Sequence, residues 1–384
     1  MIGPLFALLL WPLGKLYESA EWWIARFNFF VFGGGLFLFY QLLKEKLDPS
    51  VVRKFLLILL IGSMFPSHLK DFYGEVFTAM VVGAALLATQ VGHPRWAPWG
   101  WAAVVVGAVN TPASMVGVGS VAASETLYKK RFRYLLVPVA AVGLVLFESW
   151  VRRGSPWLTG YEGNAGAETI LTYSGQPGFS YPLFLGVLSL LFSFGKGLVF
   201  FAPGLLLSFG GAMASLKEEL RRSYRLWIWF LVGLVLVYSK WWAWYGGWTW
   251  GPRFLLFASI PASFALAVGL SRVGKSVGKN LLVLLPLAAS FWVGANGAVF
   301  GLDHLEDCRA ADYEFLCWYV PEFSVLWRPF VARDLPDGRE AALLGYGLLV
   351  FAYLASPTVA ALGRGLRKSC SELRTRYLGS SWRF

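Results

Sequence analysis

Long apolar runs separated by short polar loops make up most of this chain. Residues 281–300, for instance, read LLVLLPLAASFWVGANGAVF. About 20 apolar residues cross a bilayer core as a helix. A transmembrane barrel strand would instead alternate over about ten, and these runs do not alternate. The pattern predicts spans at 23–43, 54–68, 74–90, 99–110 with 112–127 as a broken pair, 134–151, 197–216, 226–244, 254–271, 280–300 and 341–363. The broken pair meets at Asn110-Thr111-Pro112. Residues 1–16 are apolar but interrupted by Pro4 and Pro12, which predicts an interfacial or partly inserted helix. The expected fold class is all-α: a polytopic integral membrane protein of about 10–12 helices forming one transmembrane domain over 1–384.

Composition agrees. The 384 residues are 57% hydrophobic and only 15% charged, against about a quarter charged in soluble domains. The net charge of +12 would by itself suggest nucleic acid, but its placement points elsewhere. Loops 44–54, 93–95, 129–133, 217–225 and 272–279 and the tail 364–384 hold 22 of the 34 basic residues. The positive-inside rule makes that face cytoplasmic, and no nucleic-acid partner is expected. The other loops (65–75, 152–196, 240–253 and 301–340) carry most of the acids and face outward. The expected location is the cytoplasmic (inner) membrane, with an extracytoplasmic active face and a cytoplasmic C-terminus. No basic stretch or small-residue cleavage site marks a signal peptide at the N-terminus. An odd number of crossings leaves that end outside unless residues 2–16 cross as well.

The unusual chemistry lies on the outer face. Residues 240–253, KWWAWYGGWTWGPR, hold five tryptophans, Gly246-Gly247, Lys240 and Arg253. An aromatic belt accounts for two or three tryptophans, not for this density. Tryptophan faces stack on sugar rings and cations, and the arginine fork suits phosphate. In FSFGKGL, Lys196 stands between two glycines that would let a phosphate reach backbone N–H groups; a lysine snorkelling to the interface reads equally well. In HLKDFYGE, Asp71 and Glu75 are four apart and share a helix face. They either complement the helix dipole or act as general base or metal ligand. Cys308 and Cys317 lie in one outer loop, where a disulfide or two free thiols would both be permitted; Cys370 falls inside and should be reduced. His68, His93 and His304 are far apart and show no metal-ligand spacing, so no metal site is assigned. The cofactor is unknown: a divalent ion stays open, and no nucleotide or organic cofactor is expected.

Three stretches together resemble bacterial GT-C-type membrane glycosyltransferases. LKDFYGEVFTA is similar to their second outer-loop motif, FSFGKGLVFFAP to their Phe-Ser-x-Gly-Arg/Lys-Gly-Leu segment, and KWWAWYGGWTWGPRFL to their Trp-rich motif ending in Gly-Pro-Arg. The resemblance implies transfer of a sugar from a polyprenyl-phosphate donor, with inversion, on the extracytoplasmic side. It implies that Glu75 and Asp71 take the acidic position, and that Lys196, Arg253 and Lys240 face the donor phosphate. Trp242, Trp248 and Trp250 would hold sugar or isoprenoid. Residues 2–14 resemble the end of the family's first outer loop, so its first helix and principal acid would precede residue 1. A longer chain, a partner subunit, or loss of catalysis would each account for that. The alternatives from other classes are a non-catalytic membrane subunit or lipid-linked-sugar binder, and a flippase or transporter.

Overall fold

The computed structural model describes residues 12, 15, 19–70, 72–158, 160–165, 173–272, 274, 276–301, 308, 313–332 and 336–378. Among them the regular elements are helical and no strand occurs. In chain order the α-helices are α1 (Ala20–Ala25), α2 (Phe27–Leu43), α3 (Pro49–Ile61), α4 (Phe65–His68), α5 (Gly74–Val91), α6 (Ala97–Val109), α7 (Met115–Lys129) and α8 (Leu136–Arg153). There follow α9 (Leu183–Phe192), α10 (Leu198–Phe201), α11 (Gly211–Ala214), α12 (Glu218–Tyr238), α13 (Ser259–Leu270), α14 (Val277–Val299), α15 (Glu314–Tyr319), α16 (Arg328–Ala332) and α17 (Gly338–Leu378). Among the described residues, five helical stretches are long and apolar enough to cross a membrane: Gly74–Val91, Phe132–Arg153, Arg253–Leu270, Val277–Val299 and Gly338–Lys368. Phe27–Leu43 and Leu183–Phe192 are shorter apolar helices.

Helix α5 is the hub, packing on α2, α6 and α12. Around it α7 packs on α12, α3 on α13, and α14 on α17. The centre is aromatic. Phe39, Phe55, Trp227 and Phe264 meet edge to face at 5.4–6.1 Å, the geometry that the ring quadrupole favours. The Trp227 indole N–H donates to the Gly83 carbonyl at 2.9 Å, joining α12 to α5. Where α7 crosses α12, a Cβ on Gly233 would stand 2.4 Å from the Gly117 Cα, so only glycine allows that approach. Further along the same two helices, fully buried Glu125 accepts from Arg222 at 2.7 Å, as a buried charge needs a partner.

The structure corrects two predicted spans. Residues 197–216 do not form one helix: α10 stops before Pro203, residues Pro203–Leu207 form a 3₁₀ turn, and α11 restarts after Gly210. Proline lacks the N–H that a continuing helix needs. Conversely, α9 lies inside the stretch 152–196 expected to be loop. Residues 54–68 also divide, into α3 and α4, at Gly62–Met64. The break at Thr111 between α6 and α7 falls where the sequence places it.

Candidate functional site: an aromatic cavity beside an ion pair

The loop from Ser239 to Pro252 is held from several sides. The Lys240 carbonyl accepts from Tyr181 N at 3.0 Å, and Trp242 N donates to Gly178 O at 2.9 Å. Trp241 packs on Phe179 and Tyr161. Within the loop, Gly246 and Gly247 have φ of +80° and +74°, a region in which a side chain is strained. That requirement explains the glycine pair.

Lys196 is the loop's inner support. It is 2% exposed, in the segment between α9 and α10. Its Nζ donates to the Thr249 carbonyl at 2.5 Å and the Gly251 carbonyl at 3.0 Å, with the Gly247 carbonyl at 3.4 Å. Burial lowers its pKa from 10.5 to about 7; Arg253 pushes the same way and Glu314 opposes. The flanking glycines have a packing role. Gly195 N donates to Trp318 O at 2.9 Å, and a Cβ there would stand 2.0 Å from the Cys317 carbonyl oxygen. Gly197 N donates to Ser193 O. Those two N–H groups are therefore engaged within the chain rather than presented to a phosphate.

Arg253 and Glu75 meet. Arg253 Nε lies 3.7 Å from Glu75 Oε1, with side chains 27% and 15% exposed. That distance makes an ion pair, not a hydrogen bond, and Nε is buried with no hydrogen-bond partner. The guanidinium also sits over the rings of Tyr73 and Phe254, at 5.3 and 5.0 Å. Glu75 further borders a small cavity of about 10 Å³ with Thr78 and Thr111. Asp71 lies outside the described residues. Lys240 is half-buried in the loop, and Trp250 is buried, donating to Asn296 Oδ1 at 2.8 Å.

The larger cavity, of about 330 Å³, opens on the other side of the loop. Trp242, Trp244 and Trp248 line it from the loop, Tyr173 and Tyr181 from the segment before α9, and Glu314 and Trp318 from α15. Trp318 stacks on Tyr245 at 3.6 Å, and the Glu314 carboxylate lies near the Tyr245 hydroxyl. Burial and that carboxylate both push the Tyr245 pKa up. Cys308 and Cys317 are joined in a disulfide, with Cα atoms 6.2 Å apart, which ties α15 to Cys308. Gly247 is part of the cavity wall, while a Cβ on its neighbour Gly246 would stand 3.1 Å from Arg253 Cγ. Adjacent residues of the loop thus touch the aromatic cavity and the Arg253 side chain.

Glu314, Tyr245 and Trp318 were not singled out from sequence. The available signal was that Glu314 and Trp318 lie close to Cys317 in the acidic stretch 301–340. Among the described residues, no three His, Cys, Asp or Glu side chains gather as a metal site.

These features define a polytopic, all-α membrane-helix protein with an aromatic, carboxylate-bearing cavity at its inter-helix loops. Comparison with known family models, curated proteins and solved structures returns no match.

Proposed function

We propose that the protein transfers a sugar from a polyprenyl-phosphate donor to an extracytoplasmic acceptor, with inversion, as a GT-C-like enzyme of about 10–12 crossings in the inner membrane. The supporting observation is that neighbouring loop residues touch both features: Gly247 lines the aromatic cavity, and Gly246 lies against Arg253, the partner of Glu75. Sugar-stacking rings, a phosphate-binding cation and a carboxylate base therefore lie within one loop cluster. On this reading Glu75 accepts the proton of the acceptor hydroxyl as its oxygen attacks the anomeric carbon. The bond to the phosphate oxygen breaks with its electron pair on the departing polyprenyl phosphate, and Arg253 neutralises that charge. Lys196 shapes the loop from behind, since its donors point at loop carbonyls.

The same pairing favours a second reading. Arg253 and Lys196 already have partners, which suits a protein that binds lipid-linked sugar without transferring it. Membranes carrying the protein should be assayed with a panel of polyprenyl-phosphate sugars. Arg253→Ala is expected to lower kcat/KM by at least about 10²-fold while inserting normally. Unchanged transfer would remove Arg253 from the phosphate role, and binding without transfer by the wild type would establish the second reading.

A further inference from the structure

The cavity wall carries a carboxylate among aromatic rings. Glu314 is the one carboxylate among the described lining residues, and an ionised carboxylate only accepts. An isoprenoid chain would leave that carboxylate desolvated against hydrocarbon, which is costly, whereas a sugar hydroxyl donates to it. The aromatic faces of Trp244, Trp248 and Trp318 supply the apolar surface on which a pyranose ring stacks. The volume, about 330 Å³, lies at the lower end of the ~300–1,000 Å³ range of small-molecule sites, a size for a short glycosyl unit.

We infer that the cavity is a glycosyl subsite in which Glu314 accepts hydrogen bonds from sugar hydroxyls, and that the isoprenoid lies elsewhere. The Trp318–Tyr245 stack holds α15, and with it Glu314, against the Trp-rich loop, and the Gly195–Trp318 backbone bond holds α15 against the Lys196 segment. The inference rests on reading the protein as one that handles lipid-linked sugars, and it specifies which part of such a molecule enters the cavity.

The test uses the full chain in detergent micelles and intrinsic tryptophan fluorescence. The probes are the methyl glycosides of mannose, glucose, galactose and arabinose, and separately geranyl phosphate. At least one glycoside should quench saturably, and geranyl phosphate should not compete with it. Glu314→Gln should weaken glycoside binding by about tenfold or more, as expected for losing a hydrogen bond to a charged group. Trp248→Leu, which removes a ring from another wall, should also weaken it and serves as the independent variant if Glu314→Gln does not fold. Absence of saturable quenching by every glycoside, competition by geranyl phosphate, or unchanged affinity in a folded Glu314→Gln would each overturn the assignment. A parallel transfer assay separates the two readings. Glycoside binding without transfer leaves the subsite standing and ends the catalytic reading. Transfer that is indifferent to Glu314→Gln and Trp248→Leu does the reverse.

Discussion

Replacing Lys196 by methionine tests how the Trp-rich loop is held. The ammonium is buried and lies within hydrogen-bond reach of the carbonyls of Thr249 and Gly251. Hydrogen bonds to a charged group are worth about 1.5–3 kcal/mol each, so losing two costs on the order of 3–6 kcal/mol. Against this, the lowering of the Lys196 pKa from 10.5 to about 7 means that at low pH the charged form is disfavoured by on the order of 5 kcal/mol relative to the unfolded chain. That shift is net of the hydrogen bonds the ammonium makes, so the two figures are not added, and well below pH 7 the stability difference between wild type and Lys196→Met should not change with pH. At higher pH it does. Because the folded pKa lies below the unfolded one, the unfolded chain binds more protons between pH 7 and 10.5, and wild-type stability rises through that window. Between about pH 7.5 and about pH 9.5 the gain is about 2.5 kcal/mol. Methionine has no such term. The gap between the two proteins should therefore widen by about that amount over this interval, measured by denaturant unfolding in micelles and followed by tryptophan fluorescence. Parallel pH profiles for wild type and variant would refute the account, since they would show that Lys196 does not change its protonation on folding.

Glu75→Gln should separate the two kinetic parameters: kcat falls because the base is gone, while KM for the lipid-phosphate donor falls or holds because Arg253 loses its competing partner; a rise in KM alone would count against it. Reducing the Cys308–Cys317 disulfide, or replacing both cysteines by serine, frees a short loop and should destabilise the α15 segment by about 2–3 kcal/mol. Faster amide exchange at Trp318 and Tyr319, and weaker glycoside quenching, would report it; unchanged exchange would show that the Gly195 contact and the Trp318–Tyr245 stack alone hold the segment.

The helical class and several spans were legible because an uninterrupted apolar run leaves few choices: residues 74–90 and 280–300 became α5 and α14 within a few residues. Residues 197–216 misled because hydropathy counts apolar side chains and is indifferent to backbone geometry, while Pro203 and the Gly210-Gly211 pair break the helix. Leu183–Phe192 was overlooked because ten apolar residues next to a long glycine-rich stretch fall below the length of a crossing. At the site, the Trp-rich stretch stood out by density. The meeting of Arg253 with Glu75, by contrast, depends on how α5 packs against the turn Arg253–Ala258. Glu314 was hidden for the same reason: it is an ordinary acid in an acidic loop until the fold brings α15 to Tyr245.

The glycine pair links these observations. On its own, Gly246-Gly247 reads as a turn signal, and its positive φ values justify that reading. In the fold it also keeps the backbone thin where two environments meet, one cationic at Arg253, the other aromatic at Trp248. A phosphate and the sugar attached to it are joined through a single oxygen, so a site for both needs its cation and its stacking rings close together yet shielded from each other. A side chain at either glycine would thicken that partition or strain its backbone. On the proposed reading, donor phosphate must displace Glu75 from Arg253 to bind, and that exchange releases the carboxylate when an acceptor hydroxyl needs a base. The resting ion pair then serves the mechanism, because it keeps the base occupied until the donor has arrived.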